Sequence, residues 1–135
     1  MIIRKAKISD LDRCVELLHE DDFRSCTGEY PNKEYINEFF SEYFYVAEKY
    51  NEVVGCYLAT KIFSSGVFLW HFVIDNRLRG QNLGSSLLGH MEKLHKNDGR
   101  DWIYFISPLQ NIDFYTHRGY LPHHTIVKEF LKHLK

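Results

Sequence analysis

The chain has 135 residues, of which 44% are hydrophobic, 16% aromatic and 26% charged, and its formal net charge is −1. This composition is typical of one globular domain, which we expect to span residues 1–135, and it excludes a disordered chain. The small net charge gives no overall basic field that would attract nucleic acid or an anionic membrane.

Three further features predict a cytoplasmic protein. No apolar run approaches the roughly 18 residues that a membrane-spanning helix needs, and the first residues lack the apolar segment of a signal peptide. Three cysteines, Cys14, Cys26 and Cys56, form no Cys-x-x-Cys pair, which favours free thiols in a reducing compartment. We therefore expect no nucleic-acid partner, no membrane partner and no metal.

The first forty residues predict a strand and two helices. Ile2 and Ile3 begin a short strand, and Ser9 offers an N-cap for a helix that runs to about Glu20. Pro31 suits the first turn of a second helix, because its missing N–H group has no acceptor there.

Three strand-like runs follow the second helix. The first two, 44–48 and 53–62, are separated by a short turn, which indicates an antiparallel hairpin. The third, 67–74, is almost entirely apolar and is typical of a buried strand. A polar segment with two glycines comes next, and leucines then recur at helical spacing as far as 94.

The order strand, glycine-bearing loop and helix start predicts an anion site. The first N–H groups of a helix have no intrahelical acceptor and lie at the positive end of the helix dipole. Gly80 and Gly84 allow close approach to the backbone, and Asn82 tolerates left-handed dihedral angles. Arg77 and Arg79 add positive charge. We expect a phosphate-bearing ligand, although neither a dinucleotide fingerprint nor a Walker loop is present.

The remainder of the chain predicts a fifth strand at 102–106, after a helix stop at 97–99. A short helix should then cover 110–118 and end at Gly119. Helices and strands in this order suit a mixed α/β sheet with helices on both faces.

Segment 74–85, Ile-Asp-Asn-Arg-Leu-Arg-Gly-Gln-Asn-Leu-Gly-Ser, resembles the acyl-CoA-binding motif of the GNAT N-acetyltransferase family. That motif reads Arg/Gln-x-x-Gly-x-Gly/Ala; here Asn76 replaces a usual proline and Asn82 the first motif glycine. A second resemblance lies in 111–120, where Phe114, Tyr115, Gly119 and Tyr120 meet every fixed position of the family's Phe-Tyr-x-x-x-Gly-Phe/Tyr. The two motifs together are far more specific than either one.

The resemblance implies a GNAT fold over nearly the whole chain. This fold has a central mixed, mostly antiparallel sheet with helices on both faces, in the order β-α-α-β-β-β-α-β-α-β. It places the last strand at roughly 125–131, where the apolar spacing taken alone fits a helix better. The fold is also compatible with a homodimer formed through an edge strand.

The resemblance further implies that acetyl-CoA is the cosubstrate and binds along a splayed central strand. The backbone of Phe72, Val73 and Ile74 would pair with the pantetheine amides, and one N–H group would polarise the thioester carbonyl. Pro108 replaces an asparagine that relatives often have, so Asn111 is the candidate to hold the pantetheine arm. The pyrophosphate would lie on the loop formed by Arg79, Gly80, Gln81, Asn82, Leu83, Gly84 and Ser85.

Tyr115 is the implied general acid, because the family's tyrosine lies near the coenzyme sulfur. A phenol of pKa about 10 can protonate a thiolate whose thiol has a pKa near 8.5 at a cost of only roughly 2 kcal/mol. The alternative is that Tyr115 is simply a core aromatic residue on a short helix.

The general base is less well defined by the sequence. An amine of pKa about 10.4 needs roughly 4.6 kcal/mol to lose its proton at pH 7. The central strand lacks the glutamate of some relatives, which makes His71 the nearest candidate. Asp75 at the strand end and Asp22 or Glu29 in the loop between the helices are alternatives, and so is proton loss through water.

The expected function is therefore transfer of an acetyl group from acetyl-CoA to a primary amine of a small molecule or protein, by direct attack in a ternary complex. The alternative is a catalytically weak acyl-CoA-binding regulatory protein of the same fold. A third interpretation, a protein that binds a nucleotide phosphate other than CoA, is supported only by the glycine-bearing loop. Acidic residues at 20–22 and 29, with Tyr30 and Tyr35, favour a cationic small amine, a protein N-terminus or a lysine as acceptor.

Overall fold

The computed structural model describes residues 1–20, 30–107 and 111–122. The chain forms two compact units, Met1–Phe105 and Ile106–Lys135. A five-stranded sheet and three helices make up the first unit, and the described part of the second contains one short helix. A single domain over 1–135 stays a prediction.

The sheet of the first unit is mixed and mostly antiparallel. Its strands are β1 (Ile2–Lys5), β2 (Tyr43–Lys49), β3 (Glu52–Ile62), β4 (Gly66–Ile74) and β5 (Trp102–Tyr104). They lie side by side in chain order, and every neighbouring pair is antiparallel except β4 and β5, which are parallel. The predicted sheet type is confirmed.

The helices occur in the predicted order. They are α1 (Leu11–Glu20), α2 (Lys33–Asn37), α3 (Leu83–Asn97) and α4 (Ile112–Thr116). Short 3-10 turns cover Ile8–Asp10, Glu38–Ser41 and Asn76–Leu78. The final strand that we expected at 125–131 lies outside the described residues.

Different helices cover the two faces of the sheet. Cys56 and Leu58 of β3 share an apolar cluster with Cys14 and other residues of α1 and α2. Tyr57 points to the opposite face, because side chains alternate along a strand, and its ring centroid lies 6.0 Å from that of His95 on α3. Helices on both faces are thereby confirmed, and Cys14 and Cys56 are buried free thiols as predicted.

The pairing of β4 with β5 is limited to one end of β4. It involves Gly66, Val67 and Phe68, whereas β4 itself continues to Ile74. The second half of β4 therefore extends beyond the end of β5. This half of β4, which does not pair with β5, is where the family resemblance implies a splayed strand, and the splay itself stays a prediction.

The start of the first helical segment differs from the prediction. Ser9 is not the N-cap; it lies inside the 3-10 turn that precedes α1. The capping carboxylate belongs to Asp10, which accepts a hydrogen bond from the Lys7 N–H at 2.7 Å and forms an ion pair with Arg4 at 2.8 Å. Asp10 is favoured because one carboxylate satisfies both an orphan N–H group and a guanidinium.

The second helix also begins later than expected. Asn32, and not Pro31, is next to its first turn, and the Asn32 side-chain oxygen accepts a hydrogen bond from the Tyr35 N–H at 2.8 Å. Asparagine is among the strongest N-cap residues, whereas proline offers no side-chain acceptor. Pro31 precedes the helix instead of belonging to it.

Two predicted elements near the C-terminus are shorter than expected. The fifth strand ends at Tyr104 instead of 106, since its pairing with β4 stops there. The predicted helix at 110–118 starts outside the described residues, and within them α4 covers Ile112–Thr116. Gly119 follows it with φ of +90°, the left-handed conformation that a glycine at a helix end supplies.

Candidate active site

A loop in the left-handed conformation joins β4 to α3. Gly80 has φ of +88°, and Asn82, the residue before α3, has φ of +61°. Asparagine adopts this region more readily than most residues because its short polar side chain crowds the backbone little. The prediction that Asn82 takes the place of a motif glycine in conformation is confirmed.

The first turn of α3 presents backbone N–H groups to this loop. The Ser86 N–H is the first in the helix with an intrahelical acceptor, the Asn82 carbonyl at 3.1 Å. The N–H groups of Leu83, Gly84 and Ser85 come before it and have no acceptor within the helix. Within the described chain, the Asn82 side chain does not cap them. With the dipole of a 15-residue helix behind them, these donors fit an anionic group such as a pyrophosphate.

A lysine from another strand adds charge at the loop. Lys49, the last residue of β2, donates from Nζ to the Gln81 Oε1 at 3.1 Å. Lys49 was not predicted from the sequence, because only the pairing of the strands brings the end of β2 beside the loop. Arg79, which was predicted there, is exposed.

Asp75, at the end of β4, is buried between two arginines. Its carboxylate lies 2.6 Å from Nη2 of Arg13 and 2.7 Å from Nη2 of Arg77. The Arg77 guanidinium holds the pKa of Asp75 well below its usual range. An ionised, ion-paired carboxylate is a poor proton acceptor, so its environment does not favour Asp75 as the base. Arg77 supports the loop through Asp75 and Glu52.

Arg13 of α1 is a structural residue that the sequence analysis did not single out. Its Nε donates to the Val53 carbonyl at 3.0 Å while Nη2 donates to Asp75. One guanidinium thus connects α1 with β3 and with the start of the loop. No local pattern could have revealed this contact, because Arg13 and Asp75 are 62 positions apart.

A β-bulge in β4 brings two consecutive residues to one face of the sheet. The register with β3 passes from Leu58–His71 to Ala59–Leu69, so that Trp70 is the extra residue. Regular alternation would send Trp70 and His71 to opposite faces.

Tyr35 of α2 contacts His71 and lies beside the same cleft as Trp70. Its hydroxyl oxygen lies 2.8 Å from Nε2 of His71, and its side chain lines an open cleft together with Trp70. His71 is 4% exposed, and burial lowers its pKa to about 4. The imidazole is therefore neutral at pH 7.

The cleft lies against β3 and β4, beside α2 and the 3-10 turn that follows it, and has a volume of about 410 Å³. This volume is within the range of small-molecule sites. The Trp70 Nε1 donates to the Thr60 Oγ1 at 2.9 Å, which orients the indole at the rim. The cleft is lined by Tyr35, Glu38, Phe39, Ser41, Glu42, Thr60 and Trp70.

The acidic residues of this cleft differ from those that the sequence analysis named. Tyr35 was predicted and is present, whereas residues 21, 22 and 29 lie outside the described chain. Glu38 and Glu42 were missed. Glu38 begins the 3-10 turn that follows α2, and Glu42 comes directly after that turn. No motif distinguishes the two from ordinary surface acids.

The second unit carries the Phe-Tyr-x-x-x-Gly-Tyr element. Tyr115 is half-buried on α4, and its ring centroid lies 5.1 Å from that of Phe114 and 5.9 Å from that of Tyr120. The left-handed Gly119 reverses the chain, and the Tyr120 N–H donates to the Tyr115 carbonyl at 3.1 Å. This turn explains the glycine of the motif. Asn111 precedes α4 and is exposed, and Pro108 lies outside the described residues.

Metal-ligand clusters and membrane-spanning helices are both absent from the described ranges. Within them, no three His, Cys, Asp or Glu side chains are grouped as metal ligands, and no helix is both long and apolar enough to cross a bilayer. His117 makes a hydrogen bond of 2.6 Å to the Asp113 carbonyl. Residues 123, 124 and 133, which are also histidines, lie outside these ranges.

The GNAT acetyltransferase family model matches residues 12–120 of this chain. The chain belongs to the GNAT acetyltransferase family. No curated protein matches the sequence.

Solved structures show the same fold at low sequence identity. Ard1 from Thermoplasma volcanium superimposes with a TM-score of 0.79 at 21% identity, over 89% of this chain and 82% of Ard1. A Mycobacterium tuberculosis protein in complex with CoA gives 0.74 at 20% identity, over 88% and 70%. Glucosamine-6-phosphate N-acetyltransferase from Arabidopsis thaliana gives 0.71 at 22% identity, over 97% and 98%.

Proposed function

We propose that the protein is an N-acetyltransferase that transfers an acetyl group from acetyl-CoA to a primary amine by direct attack in a ternary complex. The observation that carries this proposal is the first turn of α3, whose N–H groups meet at a loop held left-handed by Gly80 and Asn82. Membership of the GNAT family supports it, as does the similarity in fold to a protein solved with CoA and to an N-acetyltransferase of an amino sugar.

In this proposal the segment Arg79, Gly80, Gln81, Asn82, Leu83, Gly84 and Ser85 binds the pyrophosphate of acetyl-CoA, chiefly through backbone N–H groups. The backbone of Phe72, Val73 and Ile74, in the half of β4 beyond β5, pairs with the pantetheine amides as an added strand would. Asn111 is the candidate partner of the pantetheine arm.

Acetyl-CoA supplies an acetyl thioester. The amine nitrogen forms a bond to the carbonyl carbon, and the bond from that carbon to sulfur breaks, so that an amide and CoA result. The attacking nitrogen releases a proton to water as the amide forms. Tyr115 donates its phenolic proton to the departing sulfur and regains a proton from water, and a backbone N–H group of Phe72, Val73 or Ile74 stabilises negative charge on the carbonyl oxygen.

The environment of His71 argues for a positioning role and against its action as the base. Because burial lowers its pKa to about 4, its protonated form is far more acidic than an alkylammonium ion. Proton transfer from the amine to His71 would therefore be strongly uphill. We propose that the amine loses its proton to water, while His71 anchors the Tyr35 hydroxyl.

Calorimetric titration with acetyl-CoA tests the cosubstrate assignment, with free CoA and ATP as controls. We expect micromolar binding of acetyl-CoA and CoA and no heat with ATP, because the pantetheine contacts are absent from ATP. Failure of acetyl-CoA to bind would overturn the proposed function.

A Tyr115→Phe substitution tests the general acid. We expect kcat to fall about tenfold to a hundredfold, the size of a typical acid–base contribution at its lower end, with acetyl-CoA affinity nearly unchanged. The measurement is a steady-state assay of CoA release with any amine that the wild type accepts. A variant as fast as the wild type would exclude Tyr115 as the acid.

A further inference from the structure

We propose that the cleft beside Trp70 binds the acceptor and selects amines that carry a second positive charge, of which a linear aliphatic diamine is the simplest. This inference rests on the proposed acetyl transfer, since it names the amine that the same site would acetylate. It is carried by the position, charge and aromatic lining of the cleft.

The position of the cleft suits an acceptor. Trp70 at its rim precedes Phe72 by two residues on β4, and two residues of a strand span about 7 Å. An amine in the cleft is therefore within one small molecule's length of the strand segment assigned to the thioester. The β-bulge is what turns Trp70 toward α2 so that the cleft and this segment are adjacent.

The charge of the cleft is negative and available to a ligand. Glu38 and Glu42 both line it, and none of its lining residues within the described ranges is a lysine or arginine. Of the ion pairs formed by the described residues, none involves either carboxylate. Glu42 Oε2 accepts one hydrogen bond, from the Lys61 backbone N–H at 3.1 Å, which orients the carboxylate without neutralising it.

The aromatic side chains of the cleft favour the same ligand. Tyr35, Phe39 and Trp70 line it, and the faces of aromatic rings attract cations and pack against methylene chains. The Trp70 indole is held by Thr60, so binding a ligand costs little ordering of this ring. In such a cleft an alkyl chain can pack on the aromatic rings while an ammonium group at its end lies beside the carboxylates.

The acceptor needs a second positive charge, because the amine that reacts must be neutral and therefore gains little from nearby carboxylates. Carboxylates stabilise an ammonium ion, and an ammonium ion cannot attack a thioester. Selection by Glu38 and Glu42 therefore favours a molecule in which one amino group remains charged in the cleft while the other loses its proton near β4.

The first experiment compares cadaverine with its aminopentanol analogue, in which a hydroxyl replaces one amino group of the same chain. We expect kcat/KM for cadaverine to be at least about tenfold higher, the discrimination of one ion pair supported by aromatic contacts. Equal values for the two acceptors would overturn the inference and leave the acetyltransferase intact.

The second experiment places the selectivity in the cleft. Glu38→Gln keeps the size of the side chain and should raise KM for cadaverine about fivefold to tenfold, with little change for aminopentanol. Glu34→Gln, on α2 but outside the cleft, makes the same charge change and should alter neither. Equal effects of the two variants on cadaverine would contradict a local contact.

Direct binding separates this inference from the proposed function. Cadaverine is titrated calorimetrically into the wild type and Glu38→Gln without acetyl-CoA, and we expect binding that is weakened in the variant. If cadaverine binds in this manner but acetyl-CoA does not, the diamine site stands and acetyl transfer fails. If acetyl-CoA binds and cadaverine does not, the diamine inference fails.

Discussion

At the scale of single residues, Asn82 shows how a departure from a motif can preserve the conformation that the motif needs. The residue before α3 must have positive φ for the chain to enter the helix with its first N–H groups directed at the loop. Glycine meets this requirement without strain, and asparagine meets it at small cost, whereas β-carbon crowding disfavours other side chains.

We therefore predict opposite outcomes for two substitutions at this position. Asn82→Gly should leave the free energy of unfolding within about 0.5 kcal/mol and acetyl-CoA binding nearly unchanged, because glycine keeps φ positive. Asn82→Ala should lower stability by about 1 kcal/mol and weaken acetyl-CoA several-fold. Urea denaturation and calorimetry measure both quantities.

The comparison between the two variants is its own control, since both remove the asparagine side chain. If Asn82→Ala bound acetyl-CoA as well as Asn82→Gly did, the left-handed conformation would not be what shapes the loop.

At the scale of elements, the connection from β4 to α3 depends on a buried carboxylate. Asp75 is 1% exposed and joins Arg13 of α1 to Arg77 of the loop. A buried ion pair adds little net stability compared with apolar packing, but removal of its buried partner is costly. Without Asp75, Arg13 and Arg77 would keep only their ion pairs with more exposed carboxylates. The loop is thus held to the sheet by charges that are costly to separate.

Asp75→Asn should therefore lower the free energy of unfolding by about 3 kcal/mol. The variant keeps the shape of the side chain, so the loss reflects the missing charge beside Arg13 and Arg77. Thermal or urea unfolding measures it, and acetyl-CoA affinity should fall as well because the loop loses its support.

Glu16→Gln is the matched control for Asp75→Asn. Glu16 pairs with the same Arg13, but its side chain is 65% exposed, so its removal should change stability by at most about 0.5 kcal/mol. Similar losses in the two variants would contradict the view that burial of Asp75 gives the pair its importance.

At the scale of the whole molecule, two buried histidines make stability depend on pH. Burial lowers the pKa of His71 and of His95 to about 4, from an ordinary value of 6.5. Between these values the unfolded chain binds protons that the folded chain does not, so stability rises with pH. The contribution is complete above about pH 6.5 and is lost as the pH falls toward 4.

We predict that the free energy of unfolding falls between about pH 6.5 and pH 4.5, by up to about 2 to 3 kcal/mol for each histidine. Urea denaturation at several pH values measures the loss. Asp10, Asp75 and Asp98 have lowered pKa values and lose their contribution only below about pH 4, so they do not obscure this window.

An NMR titration of the imidazole resonances is the independent check. His71 and His95 should remain neutral down to about pH 4, because burial lowers the pKa of both rings. A normal pKa for both buried rings, or a flat stability profile, would show that water reaches them.

Local sequence patterns predicted the larger part of this fold. Alternating and continuous apolar runs identified the hairpin and β4, and leucines at helical spacing identified α3. The left-handed conformation of Asn82 and the chain reversal at Gly119 followed from residue type. These features are predictable because a period, a cap or a turn depends on neighbours in sequence, and the two GNAT motifs have this local character.

Tertiary structure alone decided which distant residues meet. The pairing of β2 with β3 brings Lys49 to the loop, and packing of α1 brings Arg13 to Asp75. Trp70 is the extra residue of the bulge in β4, and the bulge turns it toward the cleft that Glu38 also lines. The sequence determined the elements and the family, because these depend on local chemistry. The cleft and its charge depend on strand register and helix packing, which bring together residues that no local pattern relates.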